Sequence, residues 1–187
     1  MERVTIGDQD LIARQMGRAP RGEYVIARRC VHGHPQVLRV PPMVDEKPFP
    51  TLYWLTCPLL CRAVSELEGL GWVRRLEARL AVEAELRAAL NRADAEYVAA
   101  RRKLLSMEEE RELARRGQLR ELETRGIGGI ADRTRLKCLH LHVAHALAGQ
   151  NPIGDLVLQM LARPVCEPEE TICSSLVGGR SRSQINR

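Results

Sequence analysis

Residues 23–56 read EYVIARRCVHGHPQVLRVPPMVDEKPFPTLYWLT, and this stretch decides the fold. Residues 23–29 alternate in part through Tyr24, Val25, Ile26 and Ala27, which predicts a strand. Gly33 and Pro35 make residues 31–35 a tight turn, and residues 36–40 return as a second strand. Residues 41–50 hold four prolines and predict a loop, because proline lacks the amide that a ladder needs. Residues 51–56 (TLYWLT) are rich in β-formers and give the third strand.

Outward from this stretch the pattern turns helical. Thr56 or Cys57 can cap a helix over residues 58–68, with Pro58 in its first turn and Gly69 and Gly71 beyond its end. Val73, Leu76, Leu80, Ala84, Leu86, Leu90 and Val98 recur at helical spacing, so residues 72–105 predict one long helix. Residues 108–123 have only Leu113, Leu119 and Leu122 as large apolar anchors. Together residues 72–125 predict a charged helical hairpin that protrudes, largely exposed over its second half. GIGGI (126–130) is a joint. Asp132 is the expected N-cap of a helix running to Ala148, with Gly149 in the C′ position, and Asn151-Pro152 starts a last helix to about Ala162. Upstream, residues 8–17 predict a short helix with Asp8 as N-cap. The expected class is α+β: a small three-stranded antiparallel sheet packed on a predominantly helical body. Residues 1–163 form the expected domain, with 72–125 as the hairpin insertion, and residues 164–187 are a C-terminal tail.

The 187 residues carry a net charge of +5, but its distribution argues against nucleic acid. Arg180, Arg182 and Arg187 supply three of those charges within an acid-free stretch, 174–187. Residues 72–125 interleave 13 basic with 11 acidic residues, a salt-bridge-laced surface rather than a phosphate track. No window reaches the roughly 18 apolar residues of a membrane span. The first 15 residues carry Asp8 and Asp10 and no apolar core of a secretory signal, so the expected location is the cytoplasm. There a disulfide framework is disfavoured.

Six cysteines (Cys30, Cys57, Cys61, Cys138, Cys166, Cys173) keep close company with histidine. In residues 132–154, DRTRLKCLHLHVAHALAGQNPIG, helical spacing puts Cys138, His142 and His145 on one face and His140 nearly opposite. One thiol and two imidazoles facing one way are what a metal ion recruits from a helix. RCVHGHP (29–35) offers Cys30, His32 and His34, but without the paired C-x-x-C halves of a zinc ribbon. Cys57 lies at a predicted helix N-terminus, where the macrodipole favours thiolate. Cys166 or Cys173 can fold back as a last ligand. Asp132 with Arg133 and Lys137 can bind an anionic small molecule.

QMGRAPRG, RCVHGHPQVLRVPP, PFPTLYWLTCP, AVSELEGLG, GIGGIADRTRLKCLHLHVAHALAG and NPIGD occur in this order. Together they resemble the bacterial family catalogued as domain of unknown function 501, over residues 10–162. The resemblance draws attention to Arg29, Cys30, Pro48, Pro50, Thr51, Cys57, Asp132, Lys137, Cys138, His140, His145 and Asn151. It implies no reaction, only a genomic setting beside an exopolyphosphatase and a septum-formation initiator.

Three functions follow from these residues. The first is metal binding by Cys30, Cys57 and Cys138 with His140, His142 or His145, zinc being the metal that suits mixed Cys/His ligation. A [4Fe–4S] cluster competes if Cys173 joins the three thiols. The second is an enzyme with Cys57 or Cys138 as nucleophile and His145 or His140 as base, Asp132 assisting, on a phosphorylated or acyl substrate. The third is a protein partner docked on residues 72–125, in cell-envelope, division or polyphosphate functions.

Overall fold

The computed structural model describes residues 2–167 and 171–177, and its three main strands form one antiparallel sheet in the order β1 (Val25–Arg29), β2 (Pro35–Arg39), β5 (Tyr53–Leu55). In the central strand Val37 and Leu38 point to opposite faces, and both are fully buried. The sheet is therefore covered on both sides. Leu38 and Ile26 pack with Ile12 of α1 (Ile6–Met16), while Val37 and Tyr53 join the main core of the helical body.

Between β2 and β5 lies a hairpin, β3 (Met43–Val44) with β4 (Lys47–Pro48), where proline content predicts only loop. Asp45 and Glu46 carry its turn with φ of 50° and 60°, the primed geometry that suits two-residue hairpins. Pro48 is tolerated because a two-stranded ribbon has a free edge. In α1 the N-cap is Thr5. Asp8 sits at the third helical position, where its carboxylate accepts from Thr5 N at 3.0 Å. Two bonds from the Arg29 guanidinium, at 2.8 and 3.0 Å, hold the Asp8 carboxyl well below the usual range and pin α1 to the end of β1.

The body starts with α2 (Pro58–Gly69), capped by Cys57 as its proline predicts. Two helices, α3 (Trp72–Val82) and α4 (Ala84–Arg102), replace the single long one, with Glu83 extended between them. Neither glycine nor proline marks that break, and the apolar spacing runs through it. Gly117, left-handed at φ 69°, likewise separates α5 (Met107–Arg115) from α6 (Leu119–Thr124). The surface of 106–125 is mostly exposed, and its charges pair within the chain, as Arg102 does with Glu110 (2.5 Å) and Glu123 (3.1 Å).

The segment nevertheless does not stand away from the body. Tyr97 of α4 lies in the main core, and Leu113 and Leu122 are buried. Arg101, with no exposed surface, donates to the carbonyls of Pro50 (2.8 Å), Arg125 (2.6 Å) and Leu122. A cation taken out of water holds its position only where acceptors surround it, so these bonds clamp the hairpin to the loop before β5.

A short 3-10 turn, Ile127–Gly129, leads to α7 (Leu139–Ala148) and α8 (Pro152–Met160). The helix expected from Asp132 begins seven residues later. Asp132 instead accepts from Thr134 N (2.9 Å) and Thr134 Oγ1 (2.6 Å), a local turn that aspartate side chains favour over helix. Within 164–187, α9 (Ile172–Val177) returns onto α1, with Cys173 and Leu176 packed on Leu11. Arg180, Arg182 and Arg187 lie outside the described residues. Among the described residues no helix is long and apolar enough to cross a membrane.

The α7–α8 approach makes a sharp expectation. A Cβ on Gly154 would stand 2.1 Å from the His142 carbonyl oxygen and 2.6 Å from Ala146 Cβ. Gly154→Ala should lower stability by about 1–3 kcal/mol, the range for overpacking a tight core. Urea unfolding reads it directly, and a wild-type midpoint would refute so close a contact.

Candidate metal centre

Cys61, Ser65 and Glu68 lie at i, i+4 and i+7 on α2, one helical face. That face meets the N-terminus of α7. Leu139 N–H has no partner within its own helix, and it donates to Glu68 Oε1 at 2.5 Å. His140 Nδ1 lies 3.1 Å from the same oxygen, and its Nε2 lies 3.1 Å from the Cys61 carbonyl and 3.3 Å from Ser65 Oγ. Cys138 is the N-cap of α7, with extended backbone (φ −160°, ψ 156°). Donor atoms of Glu68, Cys138 and His140 all lie within 4.8 Å of one another, and all three residues are half-buried. The neighbouring Cys138 thiol and the charge of Glu68 outweigh burial and push the His140 imidazole up to about 9. These residues thus bring two soft or borderline donors and a carboxylate to one point, the chemistry of a transition-metal site.

Glu68 is the member that sequence motifs do not single out. Its only local signal is the polar row Cys61, Ser65, Glu68 on one face of α2. The face expected to unite Cys138 with His142 and His145 does not form, because helical phase begins at Leu139 and Cys138 is extended. His140 takes the place beside the thiol.

His142 and His145 turn into the core. Asn151, with no exposed surface, holds both: its Oδ1 lies 3.3 Å from His142 Nδ1 and its Nδ2 3.2 Å from His145 Nδ1. The same Oδ1 caps α8 by accepting from Gly154 N at 2.9 Å. His145 also stacks on Tyr53, ring centroids 5.6 Å apart, and meets Tyr97 edge-on. Burial pushes His142 down to about 4, and burial with the neighbouring His142 does the same to His145. The groups considered for an anion are engaged inside the chain as well. Arg133 donates to Thr124 O and pairs with Asp94 (3.1 Å), and Lys137 Nζ donates to Gly128 O at 2.8 Å.

The remaining thiols are placed elsewhere. Cys30, Cys57 and Cys173 line one cavity of about 560 Å3, together with Cys166, His32 and His34. Cys138 does not line it. Eleven residues along α2 separate Cys57 from Glu68, roughly 16 Å along a helix axis, so Cys30, Cys57 and Cys138 do not share one ion. Burial pushes the Cys57 thiol up, and it pushes the Cys173 thiol up to about 11.

An α+β chain carrying a half-buried Glu/Cys/His donor set built from two crossing helices defines a candidate metal-binding protein. The chain belongs to the family described as "Protein of unknown function (DUF501)", whose sequence model matches residues 26–159. The match runs from β1 into α8 and takes in Cys30, Cys57, Glu68, Cys138 and His140, while Cys166 and Cys173 lie beyond it. No curated protein and no solved structure gave a match.

Proposed function

We propose that this protein binds zinc through Glu68, Cys138 and His140. The observation that carries the reading is the approach of three donor atoms, from two separated segments, to within 4.8 Å. Thiolate, imidazole and carboxylate are the three ligand types zinc accepts. The geometry also supplies the outer support such sites need. With Nδ1 turned to the metal, His140 Nε2–H keeps its bond to the Cys61 carbonyl, which fixes tautomer and ring orientation. Three protein donors leave a fourth coordination position for water or substrate, as catalytic zinc sites do.

Zinc titration of the metal-stripped full chain against a chromophoric chelator tests this. The wild type should take up one zinc that Cys138→Ser, His140→Ala and Glu68→Gln each lose. Zinc should also raise the thermal midpoint of the wild type and leave that of Cys138→Ser unmoved, since binding energy at such a site is folding energy. Equal zinc uptake by wild type and Cys138→Ser would overturn the assignment.

A second reading rests on His140 standing between Glu68 and Cys138, the order of an orienting acid, a base and a nucleophile. Under it, Cys138 of the metal-free chain reacts with iodoacetamide faster in the wild type than in His140→Ala, and zinc gives no protection. Protection by one equivalent of zinc favours the metal.

A further inference from the structure

The cavity beside β1 holds a second constellation, independent of the Glu68 site. Cys30 comes from the β1–β2 turn, Cys57 from the N-cap of α2, Cys166 from the segment after α8, and Cys173 from α9. No short spacing motif places them together; the fold does. We propose that Cys30, Cys57, Cys166 and Cys173 ligate an iron–sulfur cluster in this cavity.

Size separates a cluster from a single ion. Four thiolates on one zinc, with bonds of about 2.3 Å, stand only about 3.8 Å apart. Among the described residues no three of these cysteine and histidine side chains bring donor atoms within 4.8 Å of one another. Cys30, Cys57, Cys166 and Cys173 instead line about 560 Å3 of space, walled by Leu59, Leu60, Leu147 and Leu158. A cluster needs this wider ring, because its iron–sulfide core lies between the thiolates.

Hydrogen bonds to sulfur are the second mark of such sites. Gln15, buried on α1, donates from Nε2 to Cys173 Sγ at 3.2 Å and to the Pro35 carbonyl at 2.9 Å. One of the four sulfurs therefore already has an N–H donor. The histidines of RCVHGHP serve as braces instead of ligands. His32 Nε2 meets the Cys166 carbonyl at 2.9 Å, and His34 Nε2 meets Thr171 Oγ1 at 3.4 Å. They tie Cys166 and Thr171 to the β1–β2 turn. Arg28 adds positive charge at its rim, which offsets the negative charge of a thiolate-bound cluster. A preassembled cluster transfers by ligand exchange from the thiolates of a carrier protein: four iron–thiolate bonds to the carrier break as four to this chain form, the four cysteine protons pass to the released carrier thiolates, and no iron changes oxidation state.

The test is anaerobic purification of the full chain from cells supplied with iron and cysteine, followed by iron, acid-labile sulfide and zinc analysis. The wild type should be brown and contain iron and sulfide in equal amounts. Cys166→Ser and Cys173→Ser should each lose at least nine-tenths of both, with far-ultraviolet circular dichroism unchanged. Cys166 is half-exposed, so that variant reports on ligation even where a change at buried Cys57 disrupts folding. Cys138→Ser should keep the cluster, which makes failure here distinct from failure of the zinc site. Wild-type protein with zinc or no metal in place of iron and sulfide overturns the proposal. So does a Cys166→Ser variant that retains its iron.

Discussion

Arg101→Met should destabilise the protein by about 3 kcal/mol. The side chain is fully buried, and its guanidinium donates to carbonyls from three positions, Pro50, Leu122 and Arg125. Methionine fills much of the volume and removes the cost of burying a charge. It also leaves those carbonyls without their donor, and each buried acceptor so orphaned costs about 1–3 kcal/mol. The guanidinium of Arg101 further lies near the Tyr97 ring, 5.7 Å from its carbon to the centroid. Lysine, a point charge with no fork of donors, should rescue little of the loss. Urea unfolding of wild type, Arg101→Met and Arg101→Lys measures this. A methionine variant within about 0.5 kcal/mol of wild type would show that Arg101 does not clamp residues 122–126 to the loop before β5.

Acidification should unfold the protein from the α7–α8 core outward. His142 and His145 are bases whose folded values, about 4, lie below the ordinary histidine value of 6.5. Between those limits the unfolded chain binds the protons that the folded chain refuses, so stability is complete above about pH 6.5 and falls as pH drops toward 4. Each histidine contributes about 3 kcal/mol over that window, at about 1.4 kcal/mol per pH unit. The cost arises in one place: Asn151 bridges both rings and caps α8, so a proton on either ring disturbs the helix start too. Unfolding free energies from about pH 7.5 to about pH 4.5 read the total, and imidazole proton shifts in the folded protein read each ring. Flat stability across this range, or rings that titrate at the ordinary histidine value, would contradict the burial of this pair.

The three strands, the capped start of α2 and the Asn151–Pro152 start of α8 are legible in the sequence because each has a local cause. Alternation at Tyr24–Ala27, β-formers at 51–56 and proline in a first helical turn all act within a few residues. The break at Glu83 and the extended Cys138 are not legible. Helical periodicity continues across both, and neither carries glycine or proline. Asp132 offers a helix cap and an Asx turn on equal local terms, and the chain takes the turn.

Composition and short-range spacing suffice to make this chain α+β, to put its thiols and imidazoles in metal-ligating company, and to give its middle a charged helical surface. They do not say which donors meet. Packing pairs Cys138 with His140 and Glu68, turns His142 and His145 inward onto Asn151, and gathers Cys30 and Cys57 with Cys166 and Cys173. The physical reason is that a ligand set is a matter of a few ångströms, whereas α2 alone spans roughly 18 Å at 1.5 Å per residue. Its two ends therefore meet two different side-chain clusters, and which partner reaches each end is fixed by how α7, α9 and the sheet pack around it.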